Sequence, residues 1–228
     1  MKILAYESSQ NSLSVAVTNG KKVLTELQSE AVAKHSDALI PLVEKILRKV
    51  RVRPSELDFI ALGVGPGSFT GIRVGVATAK MLAWVWEKKI VAVSSLECIA
   101  FSAGRDTEGP VAALMDARKG NVYAALYKIH EGKMKVLIEP QLTTAELFLK
   151  RVRTPTRFAG NDELFLKSLL PRGTENIYVD QTTSAGAIKA STVAEVALGK
   201  IIQKKFVSAE KLKPLYLHPR DCNVTKKK

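Results

Sequence analysis

The stretch from Gly63 to Lys80, GVGPGSFTGIRVGVATAK, sets Gly65, Gly67 and Gly71 among Pro66, Ser68 and Thr70. An apolar run over 59–62 precedes it and reads as a buried strand. A long apolar segment over 72–86 follows and reads as a helix. A small-residue turn between strand and helix collects unpaired backbone N–H groups at one point, and the helix dipole adds positive potential there. The loop is therefore a candidate anion site, which Arg73 could complete by bidentate contact. It is not a Walker A element, because GxxxxGK[ST] is absent. The spacing Gly65-x-Gly67-x-x-x-Gly71 also departs from the dinucleotide fingerprint. The competing reading is a tight crossover that needs small residues only to pack.

Other reactive side chains are sparse. Glu7 ends an apolar run beside Ser8 and Ser9. A carboxylate there could orient a metal-bound water near a phosphate, or could be a solvated strand end. Ser68 and Thr70 are hydroxyl nucleophiles without a G-x-S-x-G elbow or a base visible in the sequence. His35, His130 and His218 form no HxxxH or HExxH pair, and Cys98 and Cys222 have no metal-type spacing. His35 reads as a capping or packing histidine. Asp116-Ala117-Arg118-Lys119-Gly120 could close a cleft between lobes or form a charged turn. No catalytic and no metal-ligating set is expected.

The elements that must position these residues follow from periodicity. Strands are expected at 2–7, 13–18 and 22–28, with Asn19-Gly20 as a hairpin turn between the last two. A helix over 36–50 sets Leu39, Leu42, Val43, Ile46, Leu47 and Val50 on one face. Strands at 59–64 and 90–93 flank the glycine loop and its helix, and Ser94 with Glu97 makes a capping box for another helix. Residues 104–110 are polar and turn-rich and read as the boundary between units 1–104 and 105–228. The second unit offers strands at 111–115, 121–129, 134–138 and 177–179, and helices at 145–152, 163–170 and 192–203. The last helix can return to the first unit. In the helix over 72–86, Ile72, Val76, Ala79, Leu82, Ala83 and Trp86 share one side, while Val74, Ala77, Met81, Trp84 and Val85 cover much of the other. A helix apolar nearly all round must be covered on two sides, and another chain is the favoured cover for the second.

A chain of 228 residues suffices for one large domain or two small ones. Its 46% hydrophobic and 25% charged residues are those of an ordinary soluble protein, so disordered and membrane classes drop out. The net charge of +13 fits either an acidic partner, nucleic acid first, or a lysine-rich solvated surface. Two distant cysteines favour a reducing compartment. The start, MKILAYESS, is too short an apolar run for a signal peptide, and no segment reaches about 18 consecutive apolar residues. A cytoplasmic protein is expected.

The segments ILAYESSQNSLSVAV, HSDALIP, GVGPGSFTGIRVGVATAKMLA, VSSLE, MDARKGNVYAALY and PLYL stand in that order over most of the chain. Through them the sequence resembles the TsaB (YeaZ) family, bacterial partner proteins in making threonylcarbamoyladenosine on tRNA. GPGSFTGIR is the most specific of these elements, and residues 142–188 match least. The resemblance implies an α/β, two-lobed actin/Hsp70-type nucleotidase-like (ASKHA) fold with mixed sheets flanked by helices. In catalytic relatives of that fold the first hairpin and the glycine loop bind phosphate. The positions here would be Glu7, Ser9, Gly65, Gly67, Ser68, Thr70, Gly71 and Arg73.

The same resemblance implies a non-catalytic subunit that pairs with the catalytic homologue TsaD and joins a wider complex with the ATPase TsaE. ATP, Mg²⁺ and metal would belong to those partners, and tRNA would be met through the complex. The contact would use the two helices of the first lobe, through Leu39, Leu42, Val43, Ile46, Val74, Ala77, Met81, Trp84 and Val85. An apolar helix face without its partner also favours a homodimer. Three departures from the TsaD-like pattern imply a degraded or absent catalytic site. The first helix carries only His35 where those enzymes have a histidine pair, Glu7 stands where family members often have aspartate, and no adenine-side glycine loop is evident. An independent nucleotide-dependent enzyme and a tRNA-binding module are the alternative functions.

Overall fold

The computed structural model describes residues 1–10, 12–29, 35–105, 109–130, 133–160, 162–170, 177–179 and 187–218. Glu131-Gly132, which the sequence reads as a turn between the strands at 121–129 and 134–138, lies outside these, as do Cys222, the lysines at 226–228 and part of the boundary over 104–110.

The first sheet takes β1 (Lys2–Glu7), β2 (Leu13–Asn19), β3 (Lys22–Ser29), β4 (Phe59–Gly63) and β5 (Lys89–Val93), in the order β3-β2-β1-β4-β5. The hairpin pairs are antiparallel, and β1-β4 and β4-β5 are parallel. Gly20 takes the left-handed φ of 57° that the Asn19-Gly20 turn requires. Helix α1 (His35–Val50) and helix α2 (Phe69–Trp86) pack on one face of this sheet. Helix α3 (Ser95–Ala103) follows β5, and its capping box forms as the sequence predicts. Ser94 Oγ accepts the Leu96 N–H, and the Ser94 N–H donates to Glu97.

The second sheet takes β6 (Pro110–Asp116), β7 (Asn121–His130), β8 (Lys133–Thr144), β9 (Arg157–Gly160) and β10 (Ile177–Val179), in the order β10-β9-β6-β7-β8. Helices α4 (Ala145–Leu149) and α5 (Glu163–Leu169) bury Phe148 and Leu166 against its outer face. The strand β9 is absent from the sequence reading, because four residues, RFAG, carry no period. Strand β8 extends six residues past its expected end, since pairing with β7 holds the polar run 139–144 in place.

The period-2 pattern of the strands decides where the cores lie. Leu4, Tyr6, Val15, Val17, Ile60 and Leu62 face α1 and α2. Their neighbours Ile3, Ala5, Ala16, Ala61, Val91 and Val93 join a second core, shared with α3, the second sheet and helix α6 (Ala190–Ile202). Ala5 stands in register with Ala16 on one side and Ala61 on the other, so three adjacent strands present a row of methyl groups. Helix α6 meets that row with Ala190, Ala194 and Ala197, all buried, at the i, i+4, i+7 spacing of one helix face. Small residues on both surfaces let helix and sheet approach closely. The last helix thus packs on the first sheet.

The start of α6 is held by a side chain of the first sheet. No side chain of its own caps the helix at Lys189. Instead Glu26, on β3, accepts the Ser191 N–H at 3.0 Å and the Ser191 hydroxyl at 2.8 Å. Glu26 also accepts from the Ser14 hydroxyl at 2.8 Å, and Ser14 Oγ accepts the Ala190 N–H at 2.9 Å. A carboxylate at a helix N-terminus satisfies orphan donors and complements the dipole. Glu26→Ala is expected to cost about 2–4 kcal/mol, from charge-assisted hydrogen bonds left unmade. Thermal melts read the loss, and amide exchange should quicken first in α6. Unchanged exchange there would show that the alanine packing alone retains the helix.

Candidate functional site

The glycine loop meets the end of β1 at backbone contact. Tyr6 donates its hydroxyl to the Gly75 carbonyl at 2.7 Å, and Ser8 Oγ donates to the Gly71 carbonyl at 3.0 Å. The Ser68 N–H donates to the Ser9 carbonyl at 2.7 Å. A methyl group on Gly71 would sit 1.9 Å from the Ser8 carbonyl oxygen, and one on Gly67 would sit 2.2 Å from that of Ser9. The glycines are required because residues 8 and 9 occupy the space a side chain would take. Two further donors are engaged from within. Ser68 caps α2 by accepting the Gly71 N–H, and the Ile72 N–H bonds the Ser68 carbonyl. Ser68 and Thr70 are exposed on the outer side.

Arg73 does not turn to the loop. Its guanidinium lies 3.8 Å over the Phe69 ring, and its Nε donates to the Tyr216 hydroxyl at 3.2 Å. The expected bidentate clamp is therefore corrected: an exposed phenylalanine four residues earlier captures the cation. Neither Phe69 nor Tyr216 stands out along the sequence as a candidate for chemistry. The i, i+4 spacing of Phe69 and Arg73 is the signal that points to the first, whereas nothing links Tyr216 to them along the chain.

Glu7 and Ser9 do come together, with Ser95 from α3. Glu7 accepts the Ser9 N–H at 2.6 Å, and Ser9 Oγ lies 2.9 Å from Ser95 Oγ. Glu7 is fully buried, which overturns the solvated-strand-end reading. Its Oε2 has no hydrogen-bond partner among the described residues and abuts Gly63, where a methyl group would lie 2.0 Å away. Burial raises its carboxyl above the ordinary value, against the opposing hydrogen bonds from Ser9 and Ser8. The folded chain thus holds this proton to higher pH than the unfolded chain does. The contribution to stability is full below the unfolded value and is lost as pH rises through the folded one. Glu7→Gln, which cannot ionise, is expected to gain on the wild type in urea melts as pH climbs from about 4 to 8. Parallel stability curves would mean that Glu7 does not titrate as its burial dictates.

No group of three His, Cys, Asp or Glu residues among the described ones could hold a metal ion. Cys98 is buried in the core, where desolvation first, and then the charges of Glu7 and Glu97, push its thiol well up and make it unreactive. Asp116 accepts the Arg118 N–H at 2.7 Å and faces its guanidinium at 3.7 Å, a charged turn closed on itself. The described residues thus supply a tightly packed loop and one buried carboxyl.

The second candidate surface is the helix pair. Ile72, Val76, Ala79, Leu82 and Ala83 of α2 are buried, while Ala77 is exposed and Val74 half-buried. Met81, Trp84 and Val85 are 46%, 75% and 61% exposed. At about 100° per residue, Trp84, Ala77, Met81, Val74 and Val85 fill one continuous arc opposite the buried one. Among the described residues nothing covers most of that arc. On α1 the expectation is corrected. Leu39, Val43 and Ile46 are buried in the core against β2, because the regular apolar face of α1 is the face its own sheet claims. Leu42 is half-buried, and Ile40, outside the expected set, is exposed. Between the helices runs a groove of about 600 Å³, lined by Ile40, Val43, Leu47, Leu82 and Trp86 and edged by Arg48 and Arg51.

A family model described as TsaD, tRNA N6-adenosine threonylcarbamoyltransferase, matches residues 25–220. The tRNA threonylcarbamoyladenosine biosynthesis protein TsaB of Bacillus subtilis is 35% identical over 173 residues, covering 75% of each chain. The TsaB protein of Haemophilus influenzae is 28% identical, covering 95% of this chain and 93% of that one. Among solved structures, YeaZ from Pseudomonas aeruginosa superposes with a TM-score of 0.80 at 27% identity, over 95% of this chain and 99% of that one.

Proposed function

The chain belongs to the TsaB (YeaZ) family, and from that membership we propose that it is the non-catalytic partner of a TsaD-like subunit in threonylcarbamoyl transfer to adenosine in tRNA. Its two mixed sheets flanked by helices are the actin/Hsp70-type (ASKHA) fold of that family. Tailored to this role, the chain offers a docking helix rather than a reaction centre. The observation that carries the reading is the arc of Val74, Ala77, Met81, Trp84 and Val85, exposed on a helix whose opposite face already packs the core. An apolar surface of this kind on an otherwise charged protein marks a protein contact.

The glycine loop supports the same reading from the other direction. Its Ser68 and Gly71 N–H groups are taken by the Ser9 carbonyl and the Ser68 hydroxyl, and the carbonyls of Ser8 and Ser9 press on Gly71 and Gly67. On this reading nucleotide, Mg²⁺ and metal belong with TsaD-like and TsaE-like partners, and the setting is cytoplasmic. No described helix is long and apolar enough to cross a membrane.

Size exclusion with light scattering tests the proposal, run on this chain alone and mixed with a TsaD-type subunit. A complex of defined stoichiometry is expected from the mixture, and a homodimer on the same arc from the chain alone. Separate elution of the two proteins at micromolar concentration would refute the adaptor role. Heat on titrating the isolated chain with ATP and Mg²⁺ would favour an independent nucleotide-dependent enzyme instead.

A further inference from the structure

The charge of +13 plays no part in the adaptor role, and neither does the segment after α6. Residues 204–216 run along the edge of the first sheet. Val207 exchanges two backbone hydrogen bonds with Ile90 of β5, Leu212 is buried in the core that α1 and α2 also join, and the Leu215 N–H reaches the Val64 carbonyl. Lys205, just before the first anchor, and Lys211 and Lys213, flanking the buried Leu212, are exposed. None of the three forms an ion pair among the described residues. Glu210 is the only acidic residue of the segment.

The segment ends at the ring cluster that captures Arg73. The Phe69 and Tyr216 rings lie 5.4 Å apart, 54% and 45% exposed, with the guanidinium over Phe69. On the α2 wheel Phe69, Arg73 and Lys80 fall within about 40° of each other, between the buried arc and the exposed apolar one, and Phe69 is 54% exposed. Packing of the core therefore does not account for the phenylalanine. A run of exposed lysines, with only Glu210 beside Lys211 to offset them within the segment, leads to two exposed rings and an arginine, which combines the elements that hold a single nucleic-acid strand. Cations follow the phosphates, and aromatic faces take a base. An acidic protein would satisfy the lysines and leave the rings without a purpose.

We infer that this edge of the first sheet binds single-stranded RNA, with Lys205, Lys211 and Lys213 along the phosphates and a base stacked on Phe69 and Tyr216. The choice of RNA over DNA rests on the proposed role in tRNA modification; the single strand rests on the rings. The strip borders the apolar arc of α2, so RNA held on it lies beside a subunit docked at Trp84.

Fluorescence anisotropy of a labelled 12-nucleotide RNA of mixed sequence, titrated with the full chain over a series of salt concentrations, tests this. Phe69→Leu/Tyr216→Leu is expected to weaken binding about tenfold with the salt slope unchanged. Lys211→Gln/Lys213→Gln is expected to flatten the slope by about 1.4, at about 0.7 per phosphate contact on a single strand. Lys133→Gln/Lys135→Gln, on β8, removes the same charge elsewhere and is expected to leave the slope in place. Tyr216→Leu alone serves if the double ring variant fails to fold. Wild-type binding by the ring variants, equal effects of the two lysine pairs, or equal affinity for duplex RNA would each overturn the inference. Tighter binding of DNA of the same sequence would overturn the choice of RNA. These variants leave the Met81–Val85 arc intact, so failure here and failure to bind a TsaD-type subunit are separate results.

Discussion

Met81→Glu is expected to leave the isolated chain folded, with its Tm unchanged within a degree or two, and to weaken association with a TsaD-type subunit at least 100-fold. Met81 is exposed on α2, and glutamate is a good helix former, so the monomer loses little. In the complex the new carboxylate would be buried without a partner, a penalty of about 3–5 kcal/mol. Trp84→Ala tests the same arc by removal. Three-quarters of this side chain faces solvent, so about 150 Å² of apolar surface is free to be buried, worth about 4 kcal/mol. Val74 is a poorer probe, because it is half-buried against the core and its replacement would mix folding with binding. Co-elution of Met81→Glu and Trp84→Ala with the partner at wild-type affinity would remove α2 from the interface. The same variants should run as monomers if the chain alone pairs through this arc.

Gly71→Ala carries the largest expected effect on folding itself. One methyl group would meet the Ser8 carbonyl oxygen at 1.9 Å. Ser8 cannot retreat, because its own hydroxyl is bonded to the Gly71 carbonyl and the adjacent Ser9 carbonyl to the Ser68 N–H. A clash with backbone on both sides costs about 3 kcal/mol or more, and a drop in Tm of about 6–12 °C is expected for a chain of this size. Gly20→Ala is the control. Gly20 has open space around it and needs only its left-handed φ, so about 1 kcal/mol is expected. Scanning fluorimetry separates the two. Equal Tm values would mean that the loop tolerates a side chain and that its tightness is not structural.

How much of this is legible in the residues depends on whether a periodic signal has one solution. The helix α1 has a single apolar stripe, so Leu39, Val43 and Ile46 are legible as one face. Their neighbour is not, because a stripe shows that a face is covered and not by what; the sheet, not a second chain, takes it. The helix α2 is apolar nearly all round, so its period alone does not say which side turns inward. The wheel separates two apolar sides and the resemblance names Met81, Trp84 and Val85 as the outer one; in the structure these are exposed and Ile72, Val76 and Ala79 are buried. The capping box at Ser94 and Glu97 and the Asn19-Gly20 turn form as written, since each is a local rule involving four residues or fewer. The stretch GPGSFTGIR is legible as a tight strand–helix turn. What fills it is not, because the carbonyls of Ser8 and Ser9 arrive from nearly sixty positions away. Glu26 as the cap of α6, and Tyr216 as a partner of Arg73, escape for the same reason. Long-range pairings between polar groups leave no period behind.

The alanine row across β1, β2 and β4 has a consequence for how the chain is made. Its cover, α6, is synthesised about a hundred residues after β5, and the whole second sheet lies between. At about 5–20 residues per second, the first sheet waits roughly 5–20 s on the ribosome with the alanine row lacking its helix. Methyl groups are a mild face to leave wet for so long. A row of leucines there would bind the final helix more tightly once it came, and would invite every other nascent chain in the meantime.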